Sequence, residues 1–257
     1  MSFLPQLRFW DDAHAPLWVP RVETTPASPP LTRAPDEVLE LPGWRGTLPS
    51  RHYSGWVPVS GEPRELHYYL QEAESSPATR PLMLWLNGGP GTSALFGAFT
   101  ELGQLIVNRN SALQPHEVPQ LFRNPYAWTT EFNVLFIESP AGVGFSRCKH
   151  MAAAALRHCA SNDTSTAKEN ADALEGFLRV HSEYVGRDLF LAGESYAGIY
   201  LPMLVDELDR RRWAAVNVRL RGLAIGNGCW GTAEGTNCAD VMGHPGRVYK
   251  LDAEFFL

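Results

Sequence analysis

Leu191-Ala192-Gly193-Glu194-Ser195-Tyr196-Ala197-Gly198 is the stretch on which the reading of this chain turns. An apolar run, Asp188-Leu189-Phe190-Leu191-Ala192-Gly193, ends in a tight turn with a serine at its apex, and helix-forming residues follow. A strand that passes through small-x-Ser-x-small into a helix has the local geometry of a nucleophile elbow. Residues two before and two after the serine must be small, and Gly193 and Ala197 meet that condition. The alanine departs from the generic G-x-S-x-G pattern, but a methyl group is small enough for the turn. The helix that starts after Ser195 offers backbone N–H groups to an oxyanion. Taken alone, the same stretch also reads as an ordinary glycine turn at a strand end.

Working outward, further apolar runs predict the sheet around that strand. They are Pro81–Leu86, Asn133–Ile137 and Leu220–Asn227. Runs of this kind suit strands buried on both faces of a parallel sheet. Upstream, Tyr53–Val59 and Glu65–Leu70 flank a Gly61-Glu62-Pro63 turn and predict a β-hairpin. Two helices are expected. Thr164–Val180 carries Ser/Thr capping candidates and apolar Ala167, Ala171, Leu174, Phe177 and Leu178 on one stripe. Ala197–Arg212 carries Leu201, Leu204, Val205 and Leu208, with Arg210-Arg211-Arg212 in its last turn. Strands alternating with helices imply an α/β fold with a mostly parallel, doubly wound sheet preceded by a hairpin. Residues 1–35 are rich in proline and lack periodicity, so they read as an irregular leader, and residues 36–257 as the folded domain.

A second glycine-rich turn follows a strand at Trp85-Leu86-Asn87-Gly88-Gly89-Pro90-Gly91-Thr92-Ser93. Glycines there let a backbone N–H point into a cleft, as the second donor of an oxyanion hole requires. A phosphate loop is excluded because no Gly-Lys-Ser/Thr follows. A purely structural turn stays open on these residues alone.

Together with Asn133–Ser146, which ends Glu138-Ser139-Pro140-Ala141-Gly142-Val143-Gly144-Phe145-Ser146, and Gly193–Pro202, these runs resemble the serine carboxypeptidase family of α/β-hydrolases. Leu41-Pro42-Gly43, Tyr53-Ser54-Gly55-Trp56, Asn124–Trp128 and Ile225-Gly226-Asn227-Gly228 fit in the same order, so the resemblance spans residues 36–257. It implies an exopeptidase that removes C-terminal residues by acyl-enzyme chemistry, with a peptide or protein C-terminus as substrate. It implies Ser195 as nucleophile and the N–H groups of Gly89 and Tyr196 as the oxyanion hole. It also implies that Asn87, Glu194 and the N–H of Gly88 bind the substrate carboxylate, with Glu101 hydrogen-bonded to that cluster. A protonated glutamate can donate a hydrogen bond to an incoming carboxylate, whereas an ionised one repels it, and crowding and burial raise carboxyl pKa values. Tight binding at acidic pH, weakening as Glu194 or Glu101 ionises, is therefore expected. Rival readings are a solvated turn residue for Glu194 and a helix-surface carboxylate for Glu101. No cofactor or metal is expected.

Thr92 and Gln104 depart from the family pattern, which has a cysteine and a proline there; neither change removes a catalytic atom. The length departs more. Only residues 196–257 follow Ser195, and in α/β-hydrolases the acid and the histidine base come after the nucleophile. Asp206, Asp209, Asp240, Asp252 and His244 are the candidates. The first two read as a polar helix face and His244 as a turn residue. The expectation is a partial fold without its last strands and most of its cap, exposing a sheet edge, with Asp and His missing or supplied by a second chain. An acyltransferase on the same scaffold and a catalytically inert fragment are the alternatives to a peptidase.

Composition bounds the rest. Hydrophobic residues make up 44% and charged residues 19%, which describes a globular domain, and the net charge of -6 argues against a nucleic-acid surface. No run is apolar enough to span a membrane. Met1–Asp12 has no basic n-region and is broken by Pro5 and Arg8. It does not read as a signal peptide, so the chain is either cytosolic or begins downstream of its true N-terminus; the family implies a secretory, lysosomal, vacuolar or extracellular setting. Cys148, Cys159, Cys229 and Cys238 permit three pairings, or remain thiols, and their spacing is not that of zinc ligands. Asn162-Asp163-Thr164 is a glycosylation sequon, usable only in a secretory compartment.

Overall fold

The computed structural model describes residues 35–59, 63–111, 118–148, 160–213 and 216–229, and the backbone of residues 231–232, 235–236 and 254–255. Apart from Pro35, the expected leader lies outside them, as do the hairpin-turn residues 61 and 62. In chain order the elements are β1 (Glu37–Val38), β2 (His52–Pro58), β3 (Arg64–Gln71), β4 (Leu82–Leu86), α1 (Ala94–Thr100), β5 (Leu105–Ile106), β6 (Phe122–Arg123) and β7 (Asn133–Ile137). There follow β8 (Arg147–Cys148), β9 (Ser161–Asn162), α2 (Asp163–Val180), β10 (Asp188–Glu194), α3 (Ala197–Arg210) and β11 (Arg219–Gly226).

The main sheet runs β1-β2-β3-β7-β4-β10-β11, with β8 added beside β3. β2 and β3 form the antiparallel hairpin, β3 also runs antiparallel to β7, and β7, β4, β10 and β11 are mutually parallel. Period-two alternation sorts the central strands onto two faces. Leu82, Leu84, Leu86, Leu135, Leu189 and Leu191 share one apolar cluster with Leu174 and Phe177 of α2 and Leu201, Leu204 and Leu208 of α3. Met83, Trp85, Val134, Phe136 and Ala192 share the other with Ala94 and Ala98 of α1. All five residues of β4 are buried, which is why its sequence is apolar at every position. Each such leucine contributes on the order of 2 kcal/mol by leaving water.

β11 departs from the expected burial on both faces. It is parallel to β10, yet its residues are intermediate or exposed, and Leu223 is 44% exposed. Among the described residues it pairs on one side only, so it lacks the cover that β4 receives. The cap of α2 also differs from the expected Ser/Thr start. Asn162 is the N-cap: its Oδ1 accepts the Ser165 N–H at 2.8 Å, and Ser165 Oγ accepts the Asn162 N–H at 2.9 Å. α3 stops at Arg210, and Arg211 turns back to pair with Asp172 (2.6 Å) and Glu175 (2.9 Å) of α2 and with Glu207 (2.8 Å). Cys148 and Cys229 are disulfide-bonded rather than free thiols, while Cys159 and Cys238 lie outside the described residues.

Candidate active site

The site forms where β4 and β10 end side by side. Leu86 and Gly193 are register partners, so the next residues, Asn87 and Glu194, emerge together at one edge of the sheet. Ser195 then takes φ 54°, a left-handed conformation that a side-chain-bearing residue adopts only where the surroundings hold it. They do so through the backbone. The Ser195 N–H donates to Gly226 O at the end of β11 (2.9 Å), and Ser195 O accepts the N–H groups of Gly198 (3.0 Å) and Cys229 (2.8 Å).

The packing explains which small residues the turn needs. A Cβ on Gly193 would lie 2.4 Å from Leu86 O and 2.6 Å from Ala197 Cβ, so the methyl at 197 is tolerated because residue 193 has none. A Cβ on Gly88 would lie 2.5 Å from Tyr196 N and 2.8 Å from Ser195 Cβ. The loop after β4 therefore lies directly against the elbow. Gly89, at φ 111°, turns that loop, and Thr92 N–H closes it onto Gly88 O at 3.1 Å. Ser195 is half-buried and Tyr196 buried, with the Tyr196 hydroxyl donating to Asp163 Oδ1 at 3.1 Å.

A carboxamide–carboxyl cluster stands beside the serine. Asn87 is buried, and its Oδ1 accepts the indole N–H of Trp85 (2.7 Å) and the Gly97 N–H (3.2 Å). Two donors on Oδ1 fix the amide orientation and turn Nδ2 toward Glu194, to which it donates at 3.0 Å. Glu101, where α1 ends, lies within electrostatic reach of both Asn87 and Glu194. Its pKa is pushed up to about 7, first by burial and then by the charge of Glu194. Glu101 is thus part of the cluster, not a solvated carboxylate on a helix face.

Trp85, Gly97 and α1 itself escape a reading by periodicity, because a seven-residue helix is too short to show it. The usable signal was local: Ser93 just past the glycines is the N-cap of α1, accepting the Leu95 N–H at 3.2 Å. The glycosylation candidate Asn162 is occupied as the cap of α2 through Oδ1. Asp206 pairs with Arg210 on the exposed face of α3, as a polar helix face would. Asp240, His244 and Asp252 lie outside the described residues. The described histidines are engaged elsewhere, His52 with Tyr69 and Gln104, His67 with Glu138 and Ser54, and His181 with Asp36 and Glu183.

The family model described as serine carboxypeptidase matches residues 42–249. The chain is 41% identical over 211 residues to the lysosomal protective protein of Mus musculus, covering 82% of this chain and 39% of that protein. It is 36% identical to serine carboxypeptidase 1 of Hordeum vulgare, covering 81% of this chain and 41% of that protein. Among solved structures, a prohormone-processing carboxypeptidase from Saccharomyces cerevisiae superposes with a TM-score of 0.59 at 28% identity, covering 70% of this chain and 39% of the other. The chain thus spans about two fifths of the length of these relatives. The mixed, mostly parallel sheet is the corresponding part of the α/β-hydrolase fold. By its family match and by its identity to these relatives, the chain belongs to the serine carboxypeptidase family.

Proposed function

We propose that this chain carries the nucleophile and the carboxylate-recognition site of a serine-type carboxypeptidase. The observation that carries the reading is the Asn87–Glu194–Glu101 cluster one residue before a left-handed Ser195. Ser195 attacks the carbonyl of the last peptide bond. The N–H groups of Gly89 and Tyr196 receive the developing oxyanion, in the water-poor setting where such donors count most. The Gly88 N–H, Asn87 and Glu194 bind the free C-terminal carboxylate, and protonated Glu101 supplies the proton that lets carboxyl groups share the site.

A hydroxyl needs a base before it attacks, so the reaction requires a histidine and its aspartate partner. These come from residues outside the described part or from a second chain. Two disulfide-bonded cysteines and a lysosomal relative favour an oxidising or acidic compartment, in which the Asn162 sequon is usable because capping occupies only its Oδ1. No helix among the described residues is long and apolar enough to cross a membrane.

Calorimetric titration with an N-blocked dipeptide and with its C-terminal amide tests the recognition site whether or not the chain turns over. The acid binds at acidic pH and the amide does not; equal affinity would overturn the reading. Release of the C-terminal residue from the same dipeptide, with a sugar-ester acyl donor run in parallel, separates peptidase from acyltransferase. Fluorophosphonate labelling of Ser195 reports whether the serine is activated, and absence of labelling marks an inert chain.

A further inference from the structure

The run Glu138–Ser146 is central to the sequence reading, yet the chemistry above does not use it. Glu138 stands at the end of β7 with its side chain 1% exposed. Its two carboxylate oxygens hold different segments. Oε1 accepts the Ser93 hydroxyl. Oε2 accepts the Phe145 N–H at 2.8 Å and faces His67 Nδ1 at 2.9 Å. Two further bonds fix its backbone: Glu138 N–H donates to His67 O (3.0 Å), and Glu138 O accepts the Ser146 hydroxyl (2.5 Å). The 141–146 segment wraps the carboxylate so closely that a Cβ on Gly144 would lie 1.8 Å from Oε1, and Gly144 sits at φ 54°.

Ser54, His67 and Glu138 line up as hydroxyl, imidazole and carboxylate, with Ser54 Oγ 2.8 Å from His67 Nε2. They do not form a second catalytic centre. Ser54 lies inside strand β2, no helix N-terminus follows it, and its own N–H is spent on Asp36 O at 2.9 Å. Glu138 is instead a brace, and its working end is Ser93. That residue closes the Asn87–Ser93 loop and caps α1. α1 in turn presents the Gly97 N–H to Asn87 and ends at Glu101.

We infer that Glu138 is a positioning residue. Through the Ser93 hydroxyl, and with His67 held behind it, it sets the loop that offers the Gly89 N–H to an oxyanion and Asn87 to a substrate carboxylate. The kinetic part of this inference rests on the function proposed above; the structural part does not.

The test uses the full chain with Ser93→Ala, Glu138→Ala, Glu138→Asp, Glu138→Gln and the control Ser54→Ala. Hydrogen exchange of peptides covering residues 87–97 is measured beside fluorophosphonate labelling of Ser195 and thermal melting. Losing a hydrogen bond to a charged group weakens what it holds by about a factor of ten or more. Ser93→Ala is therefore expected to speed exchange at residues 87–97 and slow labelling by about tenfold, leaving exchange elsewhere unchanged. Glu138→Gln retains most of both, since its amide oxygen can accept Phe145 N–H and its NH2 can donate to Ser93 Oγ. Ser54→Ala leaves both at the wild-type level. Ser93→Ala also removes the acceptor of the Leu95 N–H, so its effect counts for the brace only where a Glu138 variant shows the same pattern. Should Glu138→Ala fail to fold, Glu138→Asp, which draws the carboxylate back from Ser93 and leaves the cap in place, decides the matter. Unchanged exchange at residues 87–97 in Ser93→Ala, or a rise spread evenly over the chain, overturns the inference. If the wild-type serine does not label, the proposed function fails on that count, and the exchange pattern still tests the brace.

Discussion

On the proposed function, Glu101 is where a single proton governs the affinity for a substrate carboxylate. Its folded pKa is about 7 against an ordinary value of 4.5, raised by burial and by Glu194. Below about pH 7 the carboxyl keeps its proton and can donate to an incoming carboxylate; above it, ionised Glu101 repels an anionic ligand. If binding requires the protonated form, the apparent Kd of an N-blocked dipeptide is flat on the acid side. It rises at most about tenfold per pH unit above the pKa, or about 1.4 kcal/mol. With the pKa at about 7 the group is already half ionised at pH 7, so the rise from pH 7 to pH 8 is at most about fivefold, and half-exposure screens part of it; a rise of about twofold to fivefold is expected. Glu101→Gln keeps a donor and cannot ionise, so its Kd stays flat across that window. Glu194→Gln removes the repelling charge and moves the wild-type inflection toward lower pH. Calorimetry with the free acid reads all three, and the C-terminal amide serves as the control without a carboxylate. A Glu101→Gln variant that keeps the wild-type slope refutes the reasoning, as does a wild-type affinity that is flat throughout.

The remaining predictions concern the frame. His52 is fully buried between Tyr69 OH (2.6 Å) and Gln104 Oε1 (2.7 Å), and burial lowers its pKa from 6.5 to about 4. The folded form thus binds a proton less readily than the unfolded chain, so the contribution is complete above pH 6.5 and is lost as pH falls toward 4. The loss is on the order of 3 kcal/mol; His52→Asn should flatten that part of the urea-unfolding stability between those pH values, and an unchanged slope refutes it. At Ser195, φ 54° strains any residue with a Cβ, so Ser195→Gly should be more stable than Ser195→Ala by about 1 kcal/mol in denaturant melts; equal midpoints would place no strain at the elbow. Trp85→Phe deletes the indole donor to Asn87 Oδ1 and frees the amide to rotate, costing about 1 kcal/mol of dipeptide affinity; an unchanged Kd would mean that Gly97 alone orients it.

The strands and long helices were legible because burial writes itself into composition. Leu82–Leu86 is apolar throughout because both of its faces are covered, and α2 shows its stripe because polar residues, buried as most of them are, fill the side away from its apolar positions. What stayed hidden lacks period or length. α1 is seven residues long, and β1, β5 and β6 have two residues each. The exposure of β11 could not be read from Leu220-Arg221-Gly222-Leu223-Ala224-Ile225, since an apolar strand has the same sequence whether or not something covers it. Gln104 shows a different limit. As a departure from a family proline it carried no meaning, yet its side chain is a hub that bonds His52, Ser50 Oγ (2.8 Å) and Glu72 O (2.9 Å).

The residues of the candidate site could be picked out by type, but not the reason they come together. Ser195 and Glu194 are neighbours in sequence, whereas Asn87 meets Glu194 because Leu86 and Gly193 share a register in adjacent parallel strands. That register fixes how far the Asn87–Glu194–Glu101 cluster stands from Ser195. On the proposed reading, a chain end held by Asn87, Glu194 and Glu101 brings its last peptide bond to Ser195, and a longer overhang meets the same cluster. Exopeptidase specificity then follows from the pairing of two strands, not from a pocket built for a particular side chain. A one-residue slip of β4 against β10 would keep every functional residue and still separate recognition from attack, because side chains alternate faces along a strand.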